Sequence, residues 1–175
     1  VLIAEDSMTQ AAVLKDALEK HGWTVRVATD GTQALAMARR QRPAIVISDI
    51  RMPTMDGYSL SKAIKTDPVL HDVPVVLLTS LSQPHDIIDA VNSRADYYFL
   101  KQWDYDVLIA KIASVLDSYQ PFPEHSQGGL TLRMEGQTYT IEANAQQPLR
   151  LLLSTYEIAV QQSMELARSR DELRK

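Results

Sequence analysis

The stretch Ala44-Ile45-Val46-Ile47-Ser48-Asp49-Ile50-Arg51-Met52-Pro53 joins a short apolar run to one carboxylate and then to a turn. A continuously apolar run of this length is typical of a strand that is covered on both faces, as in a parallel sheet. Asp49 directly follows the run, which leaves two interpretations. It is either the polar end of a buried strand or the residue on which this protein does its chemistry.

Four further apolar runs alternate with segments of helical periodicity between residue 1 and about residue 119. The runs are Val1–Ala4, Trp23–Ala28, Pro74–Leu78 and Tyr97–Leu100. Between them apolar residues recur at helical spacing, for example Ala11, Leu14 and Leu18. Five strands and five helices in strict alternation predict an α/β fold. Its core would be a doubly wound, five-stranded parallel sheet in the flavodoxin-like order 2-1-3-4-5, with helices on both faces.

The pattern changes after Tyr119, where prolines and glycines interrupt any helix. Two alternating runs then flank Glu135-Gly136, a two-residue turn that predicts a β-hairpin. The following helix partly repeats the spacing of a coiled-coil seam, so it is either one strand of a dimeric coil or a single docked helix. The predicted segments are an α/β domain over 1–119, a linker over 120–129, the hairpin over 130–142 and a long helix over 144–175.

The composition excludes several classes of function. A net charge of -4 gives no reason to expect nucleic-acid binding, which depends on clustered Lys and Arg. The absence of cysteine suits a reducing compartment, and no apolar run reaches the ~18 residues of a membrane span. We therefore expect a cytoplasmic protein that binds neither nucleic acid nor membrane. Because Val1 already lies within an apolar run, we also expect the sequence to be a piece of a longer chain.

Charged and hydroxyl-bearing residues follow four of the predicted strands. Glu5 and Asp6 follow the first strand, Asp49 the third, Thr79 the fourth and Lys101 the fifth. Parallel strands end at one edge of the sheet, and the first and third are neighbours, so three carboxylates should converge there. Such a cluster needs a cation to offset its repulsion. Because the donors are all oxygens, Mg²⁺ is the expected ion.

Asp49, Thr79 and Lys101 together suit phosphoryl chemistry. A carboxylate beside a metal ion, an ammonium and a hydroxyl can attack phosphorus while the other groups hold the phosphoryl oxygens. The product would be an aspartyl phosphate. Each residue also has a simpler interpretation, with Asp49 as a turn residue or helix cap and the other two as surface residues. Their coincidence at one edge of the sheet favours the chemical interpretation.

Residues 1 to 119 resemble the receiver domain of bacterial two-component signalling. The stretches that carry the resemblance are Glu5-Asp6, Asp49–Gly57, Leu78–Ser80 and Tyr98–Lys101. The resemblance implies that Asp49 is the phosphoacceptor, and that Asp6, Asp49 and the backbone carbonyl of Arg51 hold Mg²⁺, with Glu5 acting through water. It further implies that Thr79 and Lys101 contact the phosphoryl group and that Tyr98 changes rotamer as the output signal.

Two positions depart from the family pattern. Gln102 follows Lys101 where receivers usually have proline and a cis peptide bond. A cis bond before a residue other than proline costs ~2.5 to 4 kcal/mol, so we expect a trans bond and a shifted loop, which would alter the reach of Lys101. Arg94 stands where the family favours glycine in a left-handed turn, so we expect the preceding helix to end differently.

Three functions remain open at this point. The first is a switch, not an enzyme in its own right, that takes a phosphoryl group from a histidine kinase or a histidine phosphotransfer protein. The second is a scaffold that forms a homodimer through residues 144–175 without using the acidic site. The third is a Mg²⁺-dependent phosphohydrolase. The tail resembles, more weakly, the connector of multidomain and histidine-kinase-containing signalling proteins, which implies an effector beyond Lys175.

Overall fold

The computed structural model describes residues 1–79, 89, 92–101, 105–119, 129–134 and 137–142. The strands of the main sheet are β1 (Leu2–Ala4), β2 (Arg26–Ala28), β3 (Val46–Asp49), β4 (Val75–Thr79) and β5 (Tyr97–Leu100). The helices are α1 (Met8–Lys20), α2 (Gly31–Arg40), α3 (Gly57–Thr66) and α4 (Tyr105–Ser118). The helix predicted between β4 and β5 falls mostly outside the described residues. Asp89 and Asn92, which are described, are both helical.

The five strands form one parallel sheet in the order β2-β1-β3-β4-β5, which confirms the predicted topology. Several strand boundaries differ from the prediction. The second strand begins at Arg26 rather than at Trp23, because its partner β1 has only three residues, which pair with Arg26–Ala28. The third and fourth strands run one residue further, so Asp49 and Thr79 are each the last residue of a strand.

Three helices begin at residues whose side chains cap them. Ser7 accepts a hydrogen bond from the Gln10 amide at 3.4 Å, Asp30 from the Gln33 amide at 2.9 Å and Asp56 from the Ser59 amide at 2.7 Å. Each bond satisfies an amide that the first helical turn leaves without a partner. Each capping residue lies in the loop that follows a strand. The three helices therefore begin at the carboxyl edge of the sheet.

Two hydrophobic clusters cover the two faces of the sheet. Alternate residues of β1 point to opposite faces, Leu2 and Ala4 to the cluster with α2 and α3, and Ile3 to the cluster with α1 and α4. Of the residues predicted to recur at helical spacing, Leu35 is only partly buried, and the following are buried: Ala11, Leu14, Leu18, Ala38, Leu108, Ile112 and Val115. Burial on both faces explains why the strands read as continuous apolar runs.

The loop between β3 and α3 is held by backbone contacts. The amide of Gly57 donates to the Ile50 carbonyl at 2.8 Å, and the amide of Gly31 donates to the Met55 carbonyl at 3.2 Å. Thr54 has a positive φ of 63°, and its hydroxyl oxygen lies 3.3 Å from that of Thr32. The loop is therefore fixed to the starts of both α2 and α3, directly after Asp49.

Arg94 adopts the left-handed conformation that glycine would have supplied, with a φ of 59°. Our expectation that the turn would be built differently is therefore wrong. The hydroxyl of Ser93 accepts a hydrogen bond from the Ala95 amide at 3.3 Å, which helps to hold the tight turn across Arg94. The turn is therefore present with a strained residue in it, because a residue with a side chain loses about 1–2 kcal/mol of conformational free energy in the left-handed region.

A buried ion pair lies at the opposite edge of the sheet from Asp49. The side chains of Lys65 in α3 and Asp96 before β5 are 8% and 0% exposed, and their charged atoms are 2.5 Å apart. The Tyr119 hydroxyl donates to Asp96 at 3.0 Å and accepts from Lys65 at 2.9 Å. Tyr119 follows α4 directly, so these contacts attach the end of that helix to the sheet.

The tail contains the predicted hairpin. Strands β6 (Gly129–Met134) and β7 (Gln137–Glu142) pair antiparallel, from Gly129 with Glu142 to Met134 with Gln137. The predicted turn at Glu135-Gly136 and the predicted helix over 144–175, with its coiled-coil spacing, lie outside the described residues. Within the described part of the chain, no helix has the length and apolar character needed to span a membrane.

Candidate functional site

Glu5, Asp6 and Asp49 converge at the carboxyl edge of the sheet. Strand β1 pairs with β3 so that Ala4 lies beside Ser48, which places the next residues of the two strands, Glu5 and Asp49, side by side. One carboxylate oxygen from each of the three acids lies within 4.8 Å of the others. Glu5 is buried, Asp6 is exposed, and the side chain of Asp49 is 13% exposed. The predicted strand order therefore brings the three acids together.

Lys101 reaches this cluster from the far side of β4. Its Nζ lies 2.8 Å from Asp49 Oδ2 and 3.0 Å from Glu5 Oε2, and it donates to Gln10 Oε1 at 3.1 Å. Lys101 follows β5, and β4 separates that strand from β3, so the long lysine side chain spans one strand to meet Asp49. We expected Gln102 to alter the reach of Lys101, but the Lys101 ammonium group still contacts Asp49.

The pKa values of two groups in the site, Lys101 and Glu5, are both raised, although burial and neighbouring charges act differently on each. Burial lowers the pKa of Lys101, but hydrogen bonds to Asp49 and Glu5 and the charges of both carboxylates outweigh it, so that its pKa is raised. Burial raises the pKa of Glu5, and the neighbouring charge of Asp49 adds to this, while the hydrogen bond from Lys101 opposes it. Lys101 therefore remains an ammonium ion at neutral pH.

Backbone contacts set the orientation of Asp49 and Glu5. The Ile50 amide donates to Asp49 Oδ1 at 2.6 Å, which leaves Oδ2 as the atom that meets Lys101. The Ser7 amide donates to Glu5 Oε1 at 3.2 Å, which leaves Oε2 for the same ammonium. One oxygen of each carboxylate thus binds the backbone of its own loop, and the other faces Lys101.

The donor set fits a hard divalent cation. Three carboxylates face one ammonium, so that two negative charges have no counterpart among these groups. All of the converging ligand atoms are oxygens, the donors that Mg²⁺ prefers. Asp6 is the most exposed of the three acids and leaves the cluster open to solvent on one side, as a cation that retains water ligands requires.

The remaining predicted residues lie around this cluster. Thr79 is the last residue of β4, where Asp49 pairs with its neighbour Leu78. Arg51 is exposed in the loop two residues beyond Asp49. The ring of Tyr98 points to the cluster with α2 and α3, is only 2% exposed, and its hydroxyl oxygen lies 2.8 Å from Ser93 Oγ. The structure thus places Tyr98 as a fully buried aromatic of β5, and burial raises its pKa well above the usual value.

Gln102 lies outside the described residues, so the prediction of a trans Lys101–Gln102 bond stays a prediction. Two contacts of the site were missed by reasoning from sequence. Gln10 binds Lys101, and Ser93 binds Tyr98. Gln10 could have been found, because α1 begins just after the acidic pair and its first turn must therefore lie beside the site. Ser93 had no comparable signal, since its contact depends on the turn at Arg94.

Comparison with known proteins connects this geometry to one family. Residues 1–113 match the family model described as the response regulator receiver domain. The DNA-binding dual master transcriptional regulator RpaA of Synechocystis is 31% identical over 139 residues, which cover 75% of this chain and 58% of RpaA. The chain therefore spans little more than half the length of that curated relative.

Two solved structures have the same fold. The signal receiver domain of a signal transduction histidine kinase from Syntrophus aciditrophicus is 36% identical with a TM-score of 0.65, over 71% of this chain and 95% of that one. The receiver domain of the sensor histidine kinase PA1611 from Pseudomonas aeruginosa, described with a magnesium ion coordinated in its active-site cleft, is 27% identical. Its TM-score is 0.63, over 67% of this chain and 96% of that one. With its parallel sheet, its acidic cluster and a family match over most of its length, this chain belongs to the response regulator receiver domain family.

Proposed function

We propose that this chain is a phosphorylation-controlled switch in which Asp49 accepts a phosphoryl group from a histidine kinase or a histidine phosphotransfer protein. The observation that carries the proposal is the position of the Lys101 ammonium, 2.8 Å from Asp49 Oδ2, beside an open cluster of carboxylates. A nucleophile, a fixed cation and a candidate metal site thus meet at one edge of the sheet. The chain would act as a switch and not as an enzyme with a substrate of its own.

The transfer step follows from these contacts. A carboxylate oxygen of Asp49 attacks phosphorus, a P–O bond forms, and the P–N bond to the donor imidazole breaks. The electron pair of that bond leaves with the imidazole, which takes up a proton. As negative charge builds on the phosphoryl oxygens, the Lys101 ammonium moves its hydrogen bond from Asp49 Oδ2 to one of them. The backbone amide of Ile50 keeps the carboxylate in place throughout.

Mg²⁺ is the cofactor that this proposal assigns to the site. Asp6, Asp49 and the backbone carbonyl of Arg51 would bind it directly and Glu5 through water. When bound, the ion supplies the positive charge that lets an anionic donor approach the carboxylates. The oxygen-only donor set within 4.8 Å supports this assignment, as does the magnesium described for the PA1611 receiver domain.

The signal would pass from Asp49 to the opposite side of β4. Phosphorylation adds roughly -1.5 to -2 charge and three acceptor oxygens, to which Thr79 would donate its hydroxyl hydrogen. We place the output at Tyr98, where a change of rotamer breaks the contact between its hydroxyl and Ser93. The burial of Tyr98 supports this choice, because a fully packed ring can move only if its surroundings also change.

The tail would carry the signal onward. We propose that residues 1–119 form the receiver unit, with 120–129 as linker, 130–142 as hairpin and 144–175 as a helix that forms a homodimer and leads to an effector beyond Lys175. A cytoplasmic location, with neither nucleic acid nor membrane as a partner of this segment, fits the net charge of -4. Light scattering on residues 1–119 and on the full chain checks the dimer, because an unchanged oligomeric state would exclude it.

Intact mass after incubation with acetyl phosphate and Mg²⁺ tests the phosphoacceptor. We expect the 175-residue chain to gain the mass of one phosphoryl group, and expect no gain in Asp49→Asn. The matched control is Asp30→Asn, which changes another carboxylate to an amide but keeps a good helix cap. If no donor labels the wild-type chain, the switch is wrong and the scaffold is favoured, whereas steady turnover of unrelated phosphate esters would favour the phosphohydrolase.

A further inference from the structure

Two helices of this fold carry glutamine at the same position, the third residue after the cap. Gln10 holds it in α1 after Ser7, and Gln33 holds it in α2 after Asp30. At this position a Glu or Gln side chain commonly turns back and accepts a hydrogen bond from the backbone at the start of its own helix. Gln33 does so, since its Oε1 accepts from the Thr29 amide at 2.7 Å.

The Gln10 side chain does not turn back to the backbone at the start of α1 and binds Lys101 instead. Its Oε1 accepts from Lys101 Nζ at 3.1 Å. The Ser7 amide, which a glutamine at this position would otherwise bind, donates to Glu5 Oε1 at 3.2 Å. Glu5 thus binds the amide that the glutamine would otherwise bind, while Ser7 remains the cap of α1, and this leaves the oxygen of Gln10 available to the ammonium.

The three acceptors of Lys101 differ in what happens to them during phosphoryl transfer. An ammonium group has three N–H bonds, and here they face Asp49, Glu5 and Gln10. Under the proposed function, Asp49 becomes the phosphorylated residue and Glu5 faces the metal ion. Gln10 is the neutral member of the three, and the reaction leaves it unchanged. Its contact with Nζ can therefore persist before, during and after the transfer.

We propose that Gln10 is a positioning residue, which holds the Lys101 ammonium beside Asp49 while the hydrogen bond of Lys101 moves from the carboxylate to the phosphoryl oxygens. This inference rests on the proposed function. A neutral amide suits the task because a fourth carboxylate would add to the negative charge that an anionic phosphodonor has to approach. Gln10 acts through Lys101 and does not touch the phosphoryl group itself.

The test measures phosphorylation rates of the full chain against acetyl phosphate concentration at saturating Mg²⁺. We expect Gln10→Leu to lower the maximal rate about 3- to 10-fold, with little change in the half-saturating donor concentration. Gln10→Glu keeps an acceptor of the same reach, so its maximal rate should stay within about 2-fold while its half-saturating donor concentration rises. Gln33→Leu, which removes the same amide from α2, should change neither parameter.

Lys101→Met separates positioning from a general effect on the fold. If Gln10 acts through Lys101, adding Gln10→Leu to Lys101→Met should slow the reaction no further, whereas an effect through helix stability would be the same in both backgrounds. Two results would overturn this inference alone, provided that the wild-type chain is labelled. One is a normal maximal rate in Gln10→Leu, and the other is an equal effect of Gln10→Leu on the rate in the wild-type and Lys101→Met backgrounds. A wild-type chain that no donor labels would overturn the proposed function as well.

Discussion

The Cα atom of Gly57 lies against the backbone carbonyl of Asp49 so closely that a Cβ atom at this position would overlap the carbonyl oxygen. Gly57 is the first residue of α3, and its amide donates to the Ile50 carbonyl at 2.8 Å. Its backbone has an ordinary negative φ, so glycine is needed here for space and not for conformational freedom. The start of α3 thus determines where the end of β3 can lie.

Gly57→Ala should therefore displace Asp49. We expect a loss of about 3 kcal/mol in the free energy of unfolding, the upper end of the usual range for overpacking. The affinity for Mg²⁺, measured by calorimetry, should fall at the same time. Gly22→Ala is the matched control: Gly22 has a positive φ of 85° and open space around it, so alanine there should cost about 1–2 kcal/mol of backbone strain. Equal Mg²⁺ affinities in the two variants would contradict the positional argument.

The sheet and the acidic cluster could be predicted from sequence for one physical reason. Residues that follow parallel strands must meet at one edge, so the positions of Glu5 and Asp49 follow once the strand order is known. The same reasoning places Gln10 beside the site, but it predicts neither the contact of Gln10 with Lys101 nor that of Gly57 with Asp49. They depend on the path of a loop and on which donor a side chain selects, and periodicity carries no information about either.

Ser61 is a buried polar residue of α3 whose hydroxyl has no hydrogen-bond partner among the residues that the structure describes. Desolvation of an unpaired hydroxyl costs about 1–3 kcal/mol, and alanine is also the better helix former. We therefore expect Ser61→Ala to raise the free energy of unfolding by about 1 kcal/mol, as measured by urea denaturation. The m-value should stay the same.

Ser114→Ala is the control for Ser61, because Ser114 lies on the exposed face of α4. That substitution changes helix propensity alone, so it should stabilise the protein by about 0.5 kcal/mol or less. If Ser61→Ala stabilises no more than this control, the hydroxyl of Ser61 is paired in solution, for example with a buried water molecule. A loss of stability in Ser61→Ala would contradict the prediction outright.

Asp67 ends α3 and contributes to stability in a pH-dependent way. The hydrogen bond from the Val69 amide at 2.9 Å, followed by that from Arg39 at 2.8 Å, lowers the pKa of Asp67 below the ordinary 3.8. A carboxylate with a lowered folded-state pKa adds stability above its unfolded pKa and loses it as the pH falls through the folded value. Asp67→Asn should thus destabilise the protein at pH 7, and the difference from wild type should disappear at pH values well below 3.8.

Thermal unfolding of the wild type and of Asp67→Asn between about pH 2 and pH 7 would measure their difference in stability. This pH range is set roughly by the carboxyl pKa values. The matched control is Asp16→Asn, since Asp16 pairs with Lys20 on the surface of α1, where both side chains are more than half exposed. Exposed pairs of this kind contribute ~0–1 kcal/mol, so this variant should unfold close to wild type. A difference for Asp67→Asn that stayed constant with pH would show that the ionisation of Asp67 is not its cause.

Arg94 and Tyr98 show a further limit of reasoning from sequence. The arginine in place of glycine suggested another backbone, yet the tertiary structure imposes the left-handed turn on Arg94. That same turn positions Ser93, whose hydroxyl oxygen lies 2.8 Å from that of Tyr98. Local propensity predicts the conformational free energy that a residue such as Arg94 loses in a left-handed turn. The packing of the sheet determines whether the chain adopts that turn nevertheless.

The Lys65, Asp96 and Tyr119 network should be the main polar contribution to the attachment of α4. Because the Lys65 and Asp96 side chains are almost fully buried, Asp96→Asn leaves an uncompensated charge and should cost about 3–5 kcal/mol. Tyr119→Phe removes one hydroxyl that binds both groups and should cost about 1.5–3 kcal/mol. Urea denaturation of both variants and of their combination measures the coupling, which should exceed about 0.5 kcal/mol. Strictly additive losses would mean that Tyr119 stabilises the helix independently of the ion pair.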